Sequence, residues 1–81
     1  MIKNLNDFKI VSINVRGLRD AKRRVSLFNW LRRQHFDVIF IQETHSEVDC
    51  EIKWQNEWGG KIIMSHGSSN SKGTMIMFRR D

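Results

Sequence analysis

Short apolar runs alternate along the chain with turn-forming stretches of glycine, asparagine and serine, and proline is absent. Phe8–Val15 reads F-K-I-V-S-I-N-V. Val11 is apolar beside Ile10, so alternation is not strict, and the run predicts a strand buried on both faces for much of its length. Arg16-Gly17-Leu18-Arg19 breaks it. Asp20 is placed to cap a helix running to about Gln34. On a 3.6-residue wheel Ala21, Val25, Leu27, Phe28 and Leu31 form one broad apolar stripe, with Lys22 and Arg33 opposite. Arg24 and Arg32 fall inside the stripe's sector, where their stems are expected on the core and their heads in water. Asp37–Glu43, D-V-I-F-I-Q-E, predicts a central buried strand. A strand, helix and strand over this distance imply a right-handed crossover and parallel pairing. Asp49–Trp58 predicts a weaker helix with Ile52, Trp54 and Trp58 as its apolar residues, ended by Gly59-Gly60. Lys61–Ser65 and Thr74–Arg79 predict two strands. The polar loop His66–Gly73 between them suits an antiparallel hairpin. The predicted order is β-α-β-α-β-β, an α/β class, with residues 1–7 as an N-terminal arm.

Composition narrows the class. The chain has 81 residues, 40% hydrophobic and 28% charged, which is globular rather than disordered. No apolar run approaches a membrane span, and no apolar h-region follows the N-terminus. The single cysteine, Cys50, forms no internal disulfide framework, and no Cys/His set has structural zinc spacing. An intracellular setting is expected, with the nucleus as a candidate compartment. The net charge of +5 is uneven: residues 1–41 hold nine basic and three acidic side chains, residues 42–81 five and six. A basic first half suits a polyanion, nucleic acid first, or a solvated basic helix face.

Two polar residues stand where chemistry is expected. Asn14 lies near the carboxyl end of the first predicted strand and Glu43 closes the second. Parallel neighbours would project both from one edge, where open parallel sheets bind ligands. A carboxylate and an amide oxygen there suit a hard cation such as Mg²⁺, which takes oxygen ligands and keeps several waters. Beside a basic half, metal-assisted phosphodiester chemistry is the candidate reaction. Ordinary roles as caps or salt-bridge partners stay open on spacing alone.

Two stretches sharpen this: Ile13-Asn14-Val15-Arg16-Gly17-Leu18, and Phe36-Asp37-Val38-Ile39-Phe40-Ile41-Gln42-Glu43-Thr44-His45. Together they resemble the opening of the endonuclease/exonuclease/phosphatase superfamily, most closely the apurinic-endonuclease-like domain of LINE-type retrotransposons. Leu27-Phe28-Asn29-Trp30-Leu31, Trp58-Gly59-Gly60 and Ser71-Lys72-Gly73 fit it as well. The resemblance spans residues 8–80. It implies the N-terminal part of a two-sheet, DNase I-like α/β sandwich, with residues 8–81 as a partial domain truncated at its C-terminus. It also implies a DNA endonuclease, with RNA as the alternative substrate and no small-molecule cofactor. Glu43 would ligate Mg²⁺, or Mn²⁺ in its place, and Asn14 would share the metal and catalytic centre. Nucleic-acid contacts would fall to Arg16, Arg19, Lys22, Asn70 and Lys72, with Ser71 beside them. The chain departs from many relatives in carrying Arg16 where they have Asp or Asn. Its Thr44-His45 favours the retrotransposon branch, since apurinic endonucleases usually carry lysine at the second position.

The family's later Asp-x-Asn and Ser-Asp-His motifs are not in this sequence. The expectation is therefore an N-terminal portion that is inactive in isolation; the alternatives are a non-catalytic basic nucleic-acid-binding module or a transposon-derived remnant. Among the remaining residues, His35 is expected at a helix end, His45 is the histidine nearest the site, and His66 is read as a solvated turn residue. Cys50 is expected half-buried, and Trp54, Trp58 and the methionines as packing. Without a second sheet, Trp30, Val38, Phe40, Met64, Met75 and Met77 are expected to leave an apolar patch.

Overall fold

A computed structural model describes residues 2–5, 8–67 and 72–79. Strands β1 (Ile2–Leu5), β2 (Phe8–Asn14), β3 (Val38–Gln42), β4 (Ile62–Ser65) and β5 (Thr74–Phe78) form one five-stranded sheet in the order β1-β2-β3-β5-β4. Helix α1 (Ala21–Gln34) crosses from β2 to β3, and α2 (Glu51–Trp58) precedes β4. Strands β2 and β3 are parallel, with Asn14 opposite Gln42, and the other neighbours are antiparallel. The chain is thus α/β, with a parallel pair at the centre and a β4–β5 hairpin beside it. Residues 1–7, expected as an arm, contain β1, whose backbone extends the sheet beyond β2.

The local signals explain the boundaries. The Asp20 carboxylate accepts from the Arg23 N–H at 3.1 Å and caps α1. His35 ends α1 in the left-handed region. A 3₁₀ turn, Val48–Cys50, leads into α2, and Gly59, at φ 84°, closes it with its N–H on the Gln55 carbonyl.

One face of the sheet carries the core. Val11, Ile39, Ile41, Met75, Met77 and Ile62 pack against Phe28 and Leu31 of α1 and Trp54 and Trp58 of α2. Phe28 and Trp58 meet edge to face at 5.9 Å. The Trp58 indole donates to the Phe78 carbonyl at 2.8 Å, fixing α2 to β5. Full burial thus holds for β3 only at Ile39 and Ile41, and for β2 at Val11. The reason is layering: both helices lie on one side, and strand alternation turns Phe40 to the other, where it is 40% exposed. Phe8 and Ile63 are exposed as well. Of the expected apolar patch, Phe40 and Trp30 are exposed, whereas Met75 and Met77 are core.

The α1 stripe is narrower than the wheel implies. Ala21 and Val25 are exposed, and Arg24 takes the buried position instead. Its head does not reach water. It forms a two-pronged pair with the Glu57 carboxylate, at 2.6 and 2.9 Å, donates to the Leu18 carbonyl at 2.9 Å and lies over the Trp54 ring. Arg32 donates to the Glu57 and Trp58 carbonyls at the end of α2. Two arginines therefore join the helices, cations at a helix C-terminus where the dipole favours them. Ile52, one of the three apolar residues expected on α2, is exposed. Among the described residues no helix is long and apolar enough to cross a membrane.

Candidate metal and phosphate rim

The parallel pair carries its ladder past the strand ends. The N–H groups of Val15, Gly17 and Leu18 donate to the carbonyls of Gln42, Glu43 and Thr44, at 3.0, 2.6 and 3.0 Å. On the other side Thr44 and His45 donate to the carbonyls of Gly73 and Lys72, at 3.2 and 2.7 Å. Residues 43–45 are therefore held between the loop after β2 and the segment entering β5. This places Asn14, Arg16, Glu43 and Lys72 on one rim at the carboxyl ends of β2 and β3.

Asn14 and Glu43 are in direct contact: the Asn14 side-chain N–H donates to Glu43 Oε2. The Asn14 carbonyl oxygen accepts from the Arg16 backbone N–H at 3.2 Å, an Asx-type turn that fixes which end of the amide faces Glu43. The other Glu43 oxygen, Oε1, lies 3.7 Å from the Lys72 ammonium. The Asn14 hydrogen bond holds the Glu43 carboxyl below its ordinary pKa; partial burial opposes this, and the nearby charges of Lys72, Arg16 and His45 assist it. The carboxylate is thus ionised at neutral pH.

The backbone here is unusual. Arg16, Glu43 and His45 adopt φ of 52°, 58° and 55°, and Gly17 adopts 98°. Left-handed non-glycine residues are uncommon and gather at functional sites. Glycine is required at 17 for a second reason: a Cβ there would lie 2.8 Å from His45 Nδ1. The His45 ring covers Gly17, and its Nε2 is buried without a hydrogen-bond partner among the described residues.

The predicted nucleic-acid residues divide. Arg16 and Lys22 are exposed, on the rim loop and the first turn of α1. Lys72 is exposed and faces Glu43. Arg19 is engaged internally: it donates to the His45 carbonyl at 2.8 Å and pairs with Glu47 at 2.6 Å. Asn70 and Ser71 lie outside the described residues.

Sequence reasoning missed two supports of the rim. Arg23 donates to the carbonyls of Val15, Arg16 and Gly17 and braces the loop after β2. Its position three residues after the Asp20 cap, beside an unpaired loop, was the available signal. The second is a polar chain running from the buried Thr44 and Ser46 out to the surface. Thr44 and Ser46 hydroxyls are bonded at 2.9 Å, Ser46 Oγ meets His66 Nδ1 at 2.8 Å, and His66 Nε2 meets Glu51. His66 is therefore not a solvated turn residue. It ties the end of β4 and the start of α2 to the loop carrying Glu43, a link that no sequence spacing announces.

Among the described residues no group of three or more His, Cys, Asp or Glu side chains is placed to hold a metal ion. Glu43 supplies one ionised carboxylate at an open rim. That donor set fits Mg²⁺ or Mn²⁺ held by a single carboxylate, with water and substrate oxygens completing the sphere. Cys50, half-buried with its thiol pushed up by burial, takes no part.

A model of the endonuclease/exonuclease/phosphatase family matches residues 11–81. Over 69 residues the chain is 32% identical to an uncharacterized 149 kDa protein of transposon TX1 from Xenopus laevis. The match covers 85% of this chain and 5% of that protein, so the chain spans a small part of the length of the curated relative it matches. No solved structure matches.

Proposed function

Because this chain belongs to the endonuclease/exonuclease/phosphatase family, we propose that it is the N-terminal portion of a divalent-metal-dependent endonuclease hydrolysing DNA phosphodiester bonds. The observation that carries the reading is the contact between Asn14 and Glu43 at the carboxyl ends of two parallel strands. The ionised Glu43 would hold Mg²⁺ or Mn²⁺, which supplies charge neutralisation at the phosphate when bound. Asn14 keeps the Glu43 carboxylate in one orientation. Arg16, Lys22 and Lys72 offer exposed cations to phosphate oxygens. Arg19 acts one step back, holding the His45 segment. The similarity to a transposon protein supports a LINE-type origin.

Among the described residues the rim gives one carboxylate and no Asp–His pair, so this chain is expected to bind metal and nucleic acid without turnover. A plasmid-nicking assay with Mg²⁺ should show no cleavage above buffer. Mn²⁺ titration should show weak binding that Glu43→Ala removes; equal binding by the two proteins would overturn the metal assignment.

Internal use of the basic half argues against a purely electrostatic binding module. Lys9, Arg19, Arg23, Arg24 and Arg32 are each engaged with protein groups. On the rim itself Arg16, Lys22 and Lys72 are the exposed cations among the described residues, so the salt dependence of DNA binding should be shallow. The slope of log K against log salt should correspond to about three phosphates; a slope near the full basic count would favour the binding-module reading.

A further inference from the structure

Glu43 already has a cation. The Lys72 ammonium stands 3.7 Å from Oε1, while the Asn14 amide engages Oε2. Arg16 lies close enough for its charge to act on Glu43 but forms no ion pair with it, and Arg19 is paired with Glu47. Lys72 is thus the one cationic side chain within ion-pairing distance of Glu43 among the described residues.

The two halves of Lys72 are held differently. Its carbonyl accepts from His45 at 2.7 Å, which pins the main chain beside the rim. Its side chain is 64% exposed, and the separation is longer than a tight charge-assisted hydrogen bond. The stem can swing while its anchor stays. A divalent ion reaching Oε1 would meet the ammonium at a few ångströms, where like charges repel strongly even at a surface-like dielectric.

We propose that Lys72 is the exchangeable counter-cation of Glu43: it neutralises the carboxylate until a divalent ion displaces it, and the released ammonium then stays at the rim for a substrate phosphate. This rests on the metal reading given above. Two consequences follow from the charges. Removing the lysine charge should strengthen metal binding, although a lysine beside a metal and phosphate site would ordinarily be taken only as a substrate contact. Metal and phosphate should also each favour the other, since both draw Lys72 off the carboxylate, and such coupling is reciprocal.

The test uses the whole chain with Mn²⁺ as probe, free ion being read by electron paramagnetic resonance. Lys72→Met keeps the stem and removes the charge, Lys72→Arg keeps the charge, and Glu43→Gln removes the carboxylate's charge. Lys72→Met should bind Mn²⁺ about tenfold tighter than wild type, within the usual range of coupling between sites, with Lys72→Arg within about twofold. Glu43→Gln should lose the site. By NMR, the Glu43 carboxyl should titrate higher in Lys72→Met than in wild type. If Lys72→Met binds Mn²⁺ no tighter while Glu43→Gln abolishes binding, the counter-cation role is overturned and the metal reading stands. If Glu43→Gln binds as wild type does, both are overturned.

Discussion

Gly17 and Gly73 frame the rim at the level of single residues. Gly73, at φ 79°, is backed by Thr44: a Cβ there would sit 2.6 Å from the threonine hydroxyl and 3.2 Å from the Gly67 nitrogen. Both the left-handed backbone and the lack of space demand glycine. Gly73→Ala should cost about 2 kcal/mol or more, at the upper part of the range for strained backbone, measured by urea unfolding. Gly17→Ala should cost a similar amount and displace His45, visible as a shift of its ring resonances. Arg24 presents the same scale in a different chemistry. Its charge is buried, and Glu57 is its partner on α2. Glu57→Ala leaves that charge uncompensated and should destabilise the fold by about 3 kcal/mol. Substituting both partners by apolar residues should recover much of the loss, and the pair of unfolding curves checks this.

At the scale of elements, carboxylates fasten strands and helices. Asp37 accepts from the Lys9 N–H at 2.8 Å and from Arg79 at 3.3 Å, joining the starts of β2 and β3 to the end of β5. The Lys9 N–H, chiefly, holds its carboxyl below the ordinary value, as the Arg24 hydrogen bonds do for Glu57. A carboxyl lowered in the folded state adds stability above its unfolded pKa and loses it as pH falls through the folded one. Thermal stability should therefore hold from neutral pH to about 5, then fall below the ordinary carboxylate range of about 4. Asp37→Asn should lower the neutral-pH melting temperature and flatten that acid slope. The elements themselves were largely legible: the Asp20 cap, the V-I-F-I run and Gly59 announce α1, β3 and the end of α2. Strand β1 was not, because I-K-N-L carries no clear period and its place depends on a free edge of β2. The Arg24 position was misread because its partner, Glu57, lies on another helix, and a wheel knows only its own. Asn14 meeting Glu43 followed from parallel pairing alone, whereas Arg19 binding Glu47, and His66 binding Ser46, depend on loop paths that no periodicity records.

For the molecule as a whole, the sheet is one-sided. The chain is α/β, consistent with the N-terminal part of a DNase I-like fold. Its helices cover one face, and Phe8, Phe40 and Ile63 are exposed without helical cover. The inward strand residues appear in the sequence as hydrophobic as the outward ones, so the pattern shows how apolar each face is but not what covers it. Phe40→Thr should retain the fold, lower the binding of a hydrophobic dye and raise the concentration at which the chain stays monomeric in sedimentation.

The arginine clamp sets a hierarchy of opening. Helix α2 rests on the rest of the chain through Trp54 and Trp58 in the core and through Arg24 and Arg32, while its exposed first three residues are tied chiefly through Glu51 and His66. In low urea, α2 should fray from its first turn as a separate cooperative unit, or foldon, so that its early amides exchange with deuterium well before those of β2 and β3.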